Sequence, residues 1–202
     1  IDECRTQVRV GVGDVDVVEK DPRRWEKVNV LAPRIIADWC DKTDAHYLHV
    51  SSQAVFGGRA APYTADRMLS EPPANEYGRQ KRDAELYVME RENWSIGRLT
   101  FVIGIRPFPA HGRENPVEAV LAGRQTRQVS DRYFSICFAE DTARALWDLV
   151  ERREAKKIIH VGMPNLWSRY SLMSRFAPVT PCSHSDFSGI ASRPMSTEWA
   201  GE

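Results

Sequence analysis

Tyr77 and Lys81 stand four residues apart in the run Asn75-Glu76-Tyr77-Gly78-Arg79-Gln80-Lys81. On a helix that spacing puts both side chains on one face, one turn apart. An ammonium beside a phenol favours the phenolate and lowers the tyrosine pKa from its usual value near 10. Tyr77 then becomes a usable proton donor or acceptor near neutral pH. Ser52 closes the stretch Tyr47–Ser52, short, apolar and β-prone before its two serines. A serine at a strand tip can hydrogen-bond a carbonyl oxygen and hold it beside the phenol. The three residues form a carbonyl-polarising set, in which the tyrosine gives a proton and a cofactor gives a hydride. A Tyr-x-x-x-Lys pair by itself is equally the pattern of an amphipathic tyrosine next to a solvated lysine. Order and context separate the two readings: a buried strand ending in Ser51-Ser52, a Gly/Pro loop, then a helix opening at Asn75.

The elements that must position this set follow from periodicity. Trp25–Cys40 places Val28, Leu31, Ile35, Ile36 and Trp39 at helical spacing, and Asp21-Pro22 supplies an N-terminus with proline in the first turn. Tyr47–Val50 reads as a buried, interior strand with a polar tip. Phe56–Pro73 is a loop rich in Gly, Pro and Ala, and the helical pattern resumes from Asn75 to about Arg91. Ser95–Ile105 reads as the next buried strand, Pro107–Asn115 as a loop, Pro116–Gly123 as a short helix and Tyr133–Phe138 as a short strand. Asp141–Arg152 is a helix with Ala143, Leu146, Trp147 and Val150 on one face, Ile158–Val161 a strand, and Trp167–Phe176 the helical candidate of the tail. Alternating helices and strands predict an α/β fold with a Rossmann-like parallel sheet. Ligands of such sheets bind beyond the carboxyl ends of the strands, where Ser51-Ser52 falls.

Bulk properties narrow the function classes. Among 202 residues, Lys+Arg and Asp+Glu number 28 each, so there is no basic excess to suit a nucleic acid. Arg152, Arg153, Lys156 and Lys157 follow an amphipathic run and read as a solvated helix end. Cys4, Cys40, Cys137 and Cys182 are far apart, which argues against a disulfide framework or a zinc site. Cys40 and Cys137 lie in apolar surroundings and read as reduced core residues. No apolar run is long enough to span a bilayer, and no signal segment opens the chain, so no membrane partner and a cytoplasmic location are expected. The chain opens at Ile1, as a processed product, a fragment or part of something longer would.

Several short motifs, in order, resemble one family. Val50-Ser51-Ser52-Gln53-Ala54-Val55-Phe56-Gly57-Gly58 is similar to the STDYVFDG segment of dTDP-4-dehydrorhamnose reductases, which are extended short-chain dehydrogenases/reductases. Pro62-Tyr63 and Pro72-Pro73 match the loop that follows, Asn75–Lys81 matches NxYGxxK, and Arg98-Leu99-Thr100 is similar to the LRT strand. Asp131–Ser135, Glu140–Ala143, His160-Val161-Gly162, Ser168-Arg169-Tyr170 and Arg193-Pro194 have counterparts further on. Upstream, Asp14–Pro22 and Val28-Asn29 match the helix before the catalytic strand, so the likeness runs from about Val10 to the end.

The resemblance implies reduction of a keto group on a nucleotide-linked deoxysugar, with NADP or NAD as cofactor. It gives Ser52 the serine/threonine position, Tyr77 the role of catalytic acid, and Lys81 that of its partner, which also binds the nicotinamide ribose. Tyr77, Lys81 and Ser51 are the cofactor-binding candidates. Ser51 is the second-choice serine, otherwise a hydroxyl capping local backbone, and Asn29 matches a conserved helix asparagine. Residues 1–162 are expected to form the Rossmann-like core and 163–202 a substrate lobe, with 107–127 contributing.

Three departures stand against the pattern. The family opens with strand–GxxGxxG–helix, whose glycines let backbone approach a pyrophosphate. Gly11-Val12-Gly13 has no preceding strand and no third glycine. The expectation is a core lacking two βα units, on the order of 60 residues at roughly 30 per unit, together with the residue that separates NAD from NADP. An open sheet edge would invite a homo-oligomer or a partner protein. Gln53-Ala54 stands where the family has Asp-Tyr, and Arg106-Pro107 lies in an unusual loop. The alternative reading is a non-catalytic regulatory or structural subunit, similar to the regulatory subunit of methionine adenosyltransferase, since fold does not fix function.

Overall fold

A computed structural model describes residues 13–65, 71–104, 115–186 and 196–197. Helices α1 (Val15–Lys20) and α2 (Pro22–Glu26) start on aspartate caps: Asp14 accepts from the N–H of Asp16 and Val17, and Asp21 from that of Arg24. A π-helical turn, Lys27–Leu31, leads into α3 (Ala32–Lys42). Strand β1 (Tyr47–Ser52), a 3₁₀ turn (Gln53–Val55), α4 (Glu76–Met89) and β2 (Trp94–Leu99) follow. Then come β3 (Phe101–Ile103), α5 (Pro116–Leu121), β4 (Arg127–Val129), β5 (Tyr133–Phe134), β6 (Ile136–Phe138) and α6 (Ala139–Arg152). The chain continues through β7 (Lys157–Val161), β8 (Trp167–Ser168), α7 (Arg169–Met173), β9 (Thr180–Cys182) and β10 (Ser196–Thr197).

The central sheet is parallel in the order β1-β2-β7, with Tyr47 opposite Trp94 and Ile96 opposite Ile158. Alternation along β2 sends Ile96 to one face and Gly97 to the other. On the first face Ile96, Trp94 and Tyr47 pack with Ala37 and Cys40 of α3 and Val88 of α4. On the second face Leu146 of α6 fills the place a Gly97 side chain would take, since a Cβ there would lie 2.3 Å from Leu146 Cδ2. The result is the predicted α/β arrangement, helices on both faces of a parallel sheet. A second core gathers Ile103, Val120, Ile136, Leu172 and Met173 beneath β3, β6, α5 and α7. The basic group Arg152, Arg153, Lys156 and Lys157 is exposed at the end of α6, as expected of a solvated helix end. Cys40, Cys137 and Cys182 are buried free thiols. No described helix is long and apolar enough to cross a membrane.

Several expectations are corrected. Among the described residues β1 is an edge strand of its sheet rather than an interior one, and it runs on through both serines. The long run Ser95–Ile105 breaks at Thr100 into β2 and β3, which join different sheets. Tyr133–Phe138 likewise divides between β5 and β6, and Trp167-Ser168 form β8 ahead of α7. The helical stripe of Trp25–Cys40 is split: Ile36 packs against the core, while Leu31, Ile35 and Trp39 are 51%, 60% and 48% exposed. Asn29, Val30, Pro33, Ala37 and Cys40 are buried in its place. The π turn explains the change, because its extra residue per turn shifts the helical register at its midpoint. On α6, Ala143 and Trp147 are exposed, while Thr142 and Leu149 are buried. The loop Pro107–Asn115, apart from Asn115, and the pair Arg193-Pro194 lie outside the described residues.

Candidate active site at the β1–α4 junction

The carboxyl end of β1 carries the candidate residues. Alternation along the strand buries Tyr47, His49 and Ser51 on one face and turns Leu48, Val50 and Ser52 to the other. Ser51 is 3% exposed, and its Oγ has no hydrogen-bond partner among the described residues. Ser52 is half-buried, and its Oγ accepts from the N–H of Ala54 at 3.2 Å, capping the 3₁₀ turn that follows. The two neighbouring serines therefore face opposite sides of the sheet.

Helix α4 is pressed against that capped turn. Asn75 caps it, its Oδ1 accepting from the Gly78 N–H at 2.9 Å. An ideal Cβ on Gly78 would lie 2.0 Å from the Ala54 carbonyl oxygen, so only a glycine lets the first turn of α4 come this close. Tyr77 sits in that turn, directly before Gly78. Its hydroxyl is 4.0 Å from an ideal Cβ on Gly13, which brings the chain just before α1 to the phenol. One turn further along, Lys81 Nζ donates to the Val50 carbonyl oxygen at 2.7 Å. The ammonium is thereby tied to β1 two residues before Ser52. Ser52 ends β1, and Tyr77 and Lys81 lie on α4, which packs on the 53–55 turn through Gly78 and on β1 through Lys81, while Ser51 is buried on the side that α3 and α4 cover.

Three supports hold the junction. Asn29, in the π turn, donates to Gln80 Oε1 at 2.9 Å, and Gln80 Nε2 donates to the Pro22 carbonyl oxygen at 2.8 Å. Asn29 and Gln80 are fully buried, so this pair fixes α4 next to Lys81. Arg98 of β2 meets Glu85 of α4 in a buried ion pair at 2.9 Å, with Arg98 Nη1 also reaching the Ala65 carbonyl oxygen and His160 Nε2. The loop after β1 is closed by Tyr63, whose hydroxyl donates to Glu71 and accepts from the Gly58 N–H. Burial works to raise the Glu71 carboxyl, but hydrogen bonds from Tyr63 and from the N–H groups of Arg59, Ala60 and Gly58 outweigh it and hold the carboxyl below its ordinary value. Burial, with the bond to Glu71, pushes the Tyr63 hydroxyl up.

Sequence reasoning marked Asn29 only as supportive and missed Gln80, Gly78 and the Arg98–Glu85 pair as parts of the site. Gly78 inside a helical pattern was a readable signal, because a mid-helix glycine implies close packing or function. The side-chain amide of Gln53, next to Ser52, contacts the hydroxyls of Thr100 and Thr197. A neutral amide thus fills the position where the family's motif has an aspartate.

Residues 11–199 match the family model described as RmlD substrate binding domain. A dTDP-4-dehydrorhamnose reductase of Mycolicibacterium smegmatis is 38% identical over 160 residues, 77% of this chain and 48% of that protein. Methionine adenosyltransferase 2 subunit beta of Xenopus laevis is 35% identical over 90 residues, 44% of this chain and 26% of that one. The crystal structure of the Bacillus anthracis dTDP-4-dehydrorhamnose reductase in complex with NADP superposes with a TM-score of 0.85 at 21% identity, covering 96% of this chain and 70% of that one. The chain spans about half the length of the curated relatives it matches over most of its own length. With residues 11–199 inside the family model, the chain belongs to the RmlD substrate-binding-domain family of extended short-chain dehydrogenases/reductases.

Proposed function

We propose that the protein takes part in NAD(P)-dependent reduction of a keto group on a nucleotide-linked deoxysugar, in the manner of dTDP-4-dehydrorhamnose reductase. The observation that carries this reading is the convergence at the end of β1: Lys81 Nζ on the Val50 carbonyl, Ser52 at the strand tip, and Tyr77 on the α4 turn wedged against Ala54. Ser52 Oγ, an acceptor for the Ala54 N–H, keeps its own O–H for a substrate carbonyl oxygen. Tyr77 then delivers the proton to that oxygen, and the Lys81 ammonium favours the phenolate left behind. NADP or NAD supplies the hydride when bound. The chain's residues suit its nicotinamide half, because Gly13 brings no side chain against the Tyr77 hydroxyl and Lys81 is fixed one turn away. Ser51, buried on the other face, supports such a site from beneath.

Residues 163–202, with 107–127, form the substrate lobe in this reading, and residues 1–162 the Rossmann-like core. The protein works in the cytoplasm, with a second copy or a partner protein along the exposed edge of the sheet. The decisive experiment mixes the intact protein with dTDP-4-dehydrorhamnose and NADPH or NADH and follows loss of reduced nicotinamide. Turnover that needs the sugar nucleotide is expected. Tight dinucleotide binding without turnover would instead favour a non-catalytic subunit, the reading that the likeness to methionine adenosyltransferase 2 subunit beta supports.

A further inference from the structure

Gln80 immediately precedes Lys81 on α4 and is fully buried. Its amide is engaged at both ends: Nε2 donates to the Pro22 carbonyl oxygen at 2.8 Å, and Oε1 accepts from Asn29 Nδ2 at 2.9 Å. A carbonyl oxygen can only accept, so the atom facing Pro22 is the donor and the orientation of the amide is fixed. Both partners belong to one stretch of chain, α2 and the π turn behind it. The residues just before that stretch reach the start of α4 at two further points. Glu19, in α1, accepts from the Glu76 N–H at 3.0 Å, and an ideal Cβ on Gly13 would lie 4.0 Å from the Tyr77 hydroxyl. Residues 13–31 thus line one side of α4, and Gln80 is their buried fastening to it.

Helix geometry shows what that fastening controls. At 3.6 residues per turn, successive positions are about 100° apart around the axis. With Tyr77 at zero, Lys81 lies at about +40°, Gly78 at about +100° and Gln80 at about −60°. The face that carries Tyr77 and Lys81 is therefore bracketed, by Gly78 against Ala54 on one side and by Gln80 against Pro22 and Asn29 on the other. Close contact at Gly78 sets how near α4 comes to the 53–55 turn; it takes the second bracket to set rotation about the axis. A group about 5–6 Å from that axis moves about 1 Å for each 10° of rotation. The Lys81 stem is too flexible to resist such a rotation by itself. We infer that Gln80 is a positioning residue: by fastening α4 to Pro22 and Asn29 it fixes the rotation of the helix, and so holds the Tyr77 hydroxyl at Gly13 and the Lys81 ammonium on the Val50 carbonyl. This rests on the reductase reading, in which Tyr77 is the acid and Lys81 its partner, and Gln80 acts through them without touching the reacting atoms.

Two measurements on the intact protein test the inference. Gln80→Met keeps the length and the burial and removes both hydrogen bonds. In reduction of dTDP-4-dehydrorhamnose by NADPH, assayed well below the Tm of the variant, kcat is expected to fall about 10–100-fold with the sugar KM within about threefold. The second measurement is a pH titration of the Tyr77 phenol by ¹³C NMR of Cζ-labelled tyrosine, assigned by the peak missing in Tyr77→Phe. An ammonium beside a phenol lowers its pKa, so loosening Lys81 should raise the Tyr77 value by at least about half a unit toward 10. A role in packing alone would lower Tm and leave kcat and the titration as in the parent, and that result would overturn the inference. If Gln80→Met does not fold, Gln80→Glu takes its place. Protonated, that carboxyl can still donate to Pro22 and accept from Asn29; ionised, it can only accept. Its turnover relative to the parent should therefore drop as the carboxyl ionises, and a ratio constant with pH would equally overturn the inference. Absence of turnover in the parent would sink the reductase reading, while the phenol titration, which needs no substrate, would still decide whether Gln80 positions Tyr77 and Lys81.

Discussion

Replacing Gly78 with alanine sets two physical effects against each other in the middle of the site. Alanine is the better helix former by about 0.8–1.0 kcal/mol, so propensity alone predicts a gain. Contact geometry predicts the opposite. The new Cβ would stand 2.0 Å from the Ala54 carbonyl oxygen, 2.9 Å from Pro73 Cβ and 3.0 Å from the Ala54 carbonyl carbon. An ordinary C···O contact is about 3.3 Å, so α4 and the 53–55 turn must separate by more than about 1 Å. The nearest obstacles are backbone atoms, which no rotamer change relieves. Overpacking costs about 1–3 kcal/mol, and backbone obstacles put this case in the upper part, about 2–3 kcal/mol, leaving a net loss of roughly 1–2 kcal/mol after the propensity gain. At about 2–4 °C per kcal/mol for a chain of this size, Tm should fall by roughly 2–8 °C by circular dichroism. Turnover should fall further than stability suggests, because a displacement of about 1 Å in reacting groups can cost on the order of 100-fold. Gly97→Ala is the matched control: its Cβ meets a flexible Leu146 methyl at 2.3 Å, away from Tyr77 and Lys81, and should lower Tm with less effect on kcat. A Gly78→Ala protein at least as stable as the parent, with unchanged kcat, would refute the close packing of α4 on Ala54.

Tyr77→Phe keeps the ring and removes the proton donor, so turnover should drop by at least about 100-fold while sugar-nucleotide binding, read by calorimetry, holds; equal turnover would rule Tyr77 out as the acid. Glu85→Leu strands the buried Arg98 guanidinium and should lower stability in urea by about 3–5 kcal/mol, whereas adding Arg98→Met should recover most of that loss; additive losses would show that the two side chains do not act as a pair. The His46 imidazole, 2.7 Å from the buried Ser95 hydroxyl, is held below its ordinary pKa of 6.5 by burial and then by the Arg153 cation. A histidine depressed in the folded state contributes stability that is complete above 6.5 and is lost as pH falls through its lower folded value. The urea midpoint should therefore decline on acidification below pH 6.5, and His46→Gln should flatten that decline; an unaltered slope would remove His46 as its source.

The alternation of elements and the shared helix of Tyr77 and Lys81 were legible because they depend on local spacing. Tyr77 and Lys81 share a helix face by arithmetic, and Tyr47–Val50 announces a strand by composition. What stayed hidden depends on partners distant in the chain. The π turn at Lys27–Leu31 arises with Asn29 held on Gln80, 51 positions later, and the helical wheel of a regular helix then assigns the wrong face to Leu31, Ile35 and Trp39. Thr100 ends β2 because its hydroxyl turns to Ser135 and Gln53, contacts no window of ten residues contains. Arg98 is a cation inside a strand read as buried, and it can be 1% exposed because Glu85 from another element, invisible to local spacing, neutralises it.

The two serines at the end of β1 give the clearest link between strand geometry and chemistry. Sequence alone ranks them by motif; alternation assigns them by face. Ser51 shares its side with Tyr47 and His49, under α3 and α4, and its hydroxyl is shut into the core. Ser52 turns the other way and uses only an acceptor lone pair on the Ala54 N–H, leaving a donor. A carbonyl oxygen needs a donor, so in the proposed reaction the bond that caps the 53–55 turn would also orient Ser52 toward the substrate. The turn then carries Gln53 onto Thr100 and Thr197 and brings the Ala54 carbonyl against Gly78. One short turn thereby sets the strand serine, the neighbouring amide and the height of the tyrosine helix together, and a change in any of the three should be felt by the other two.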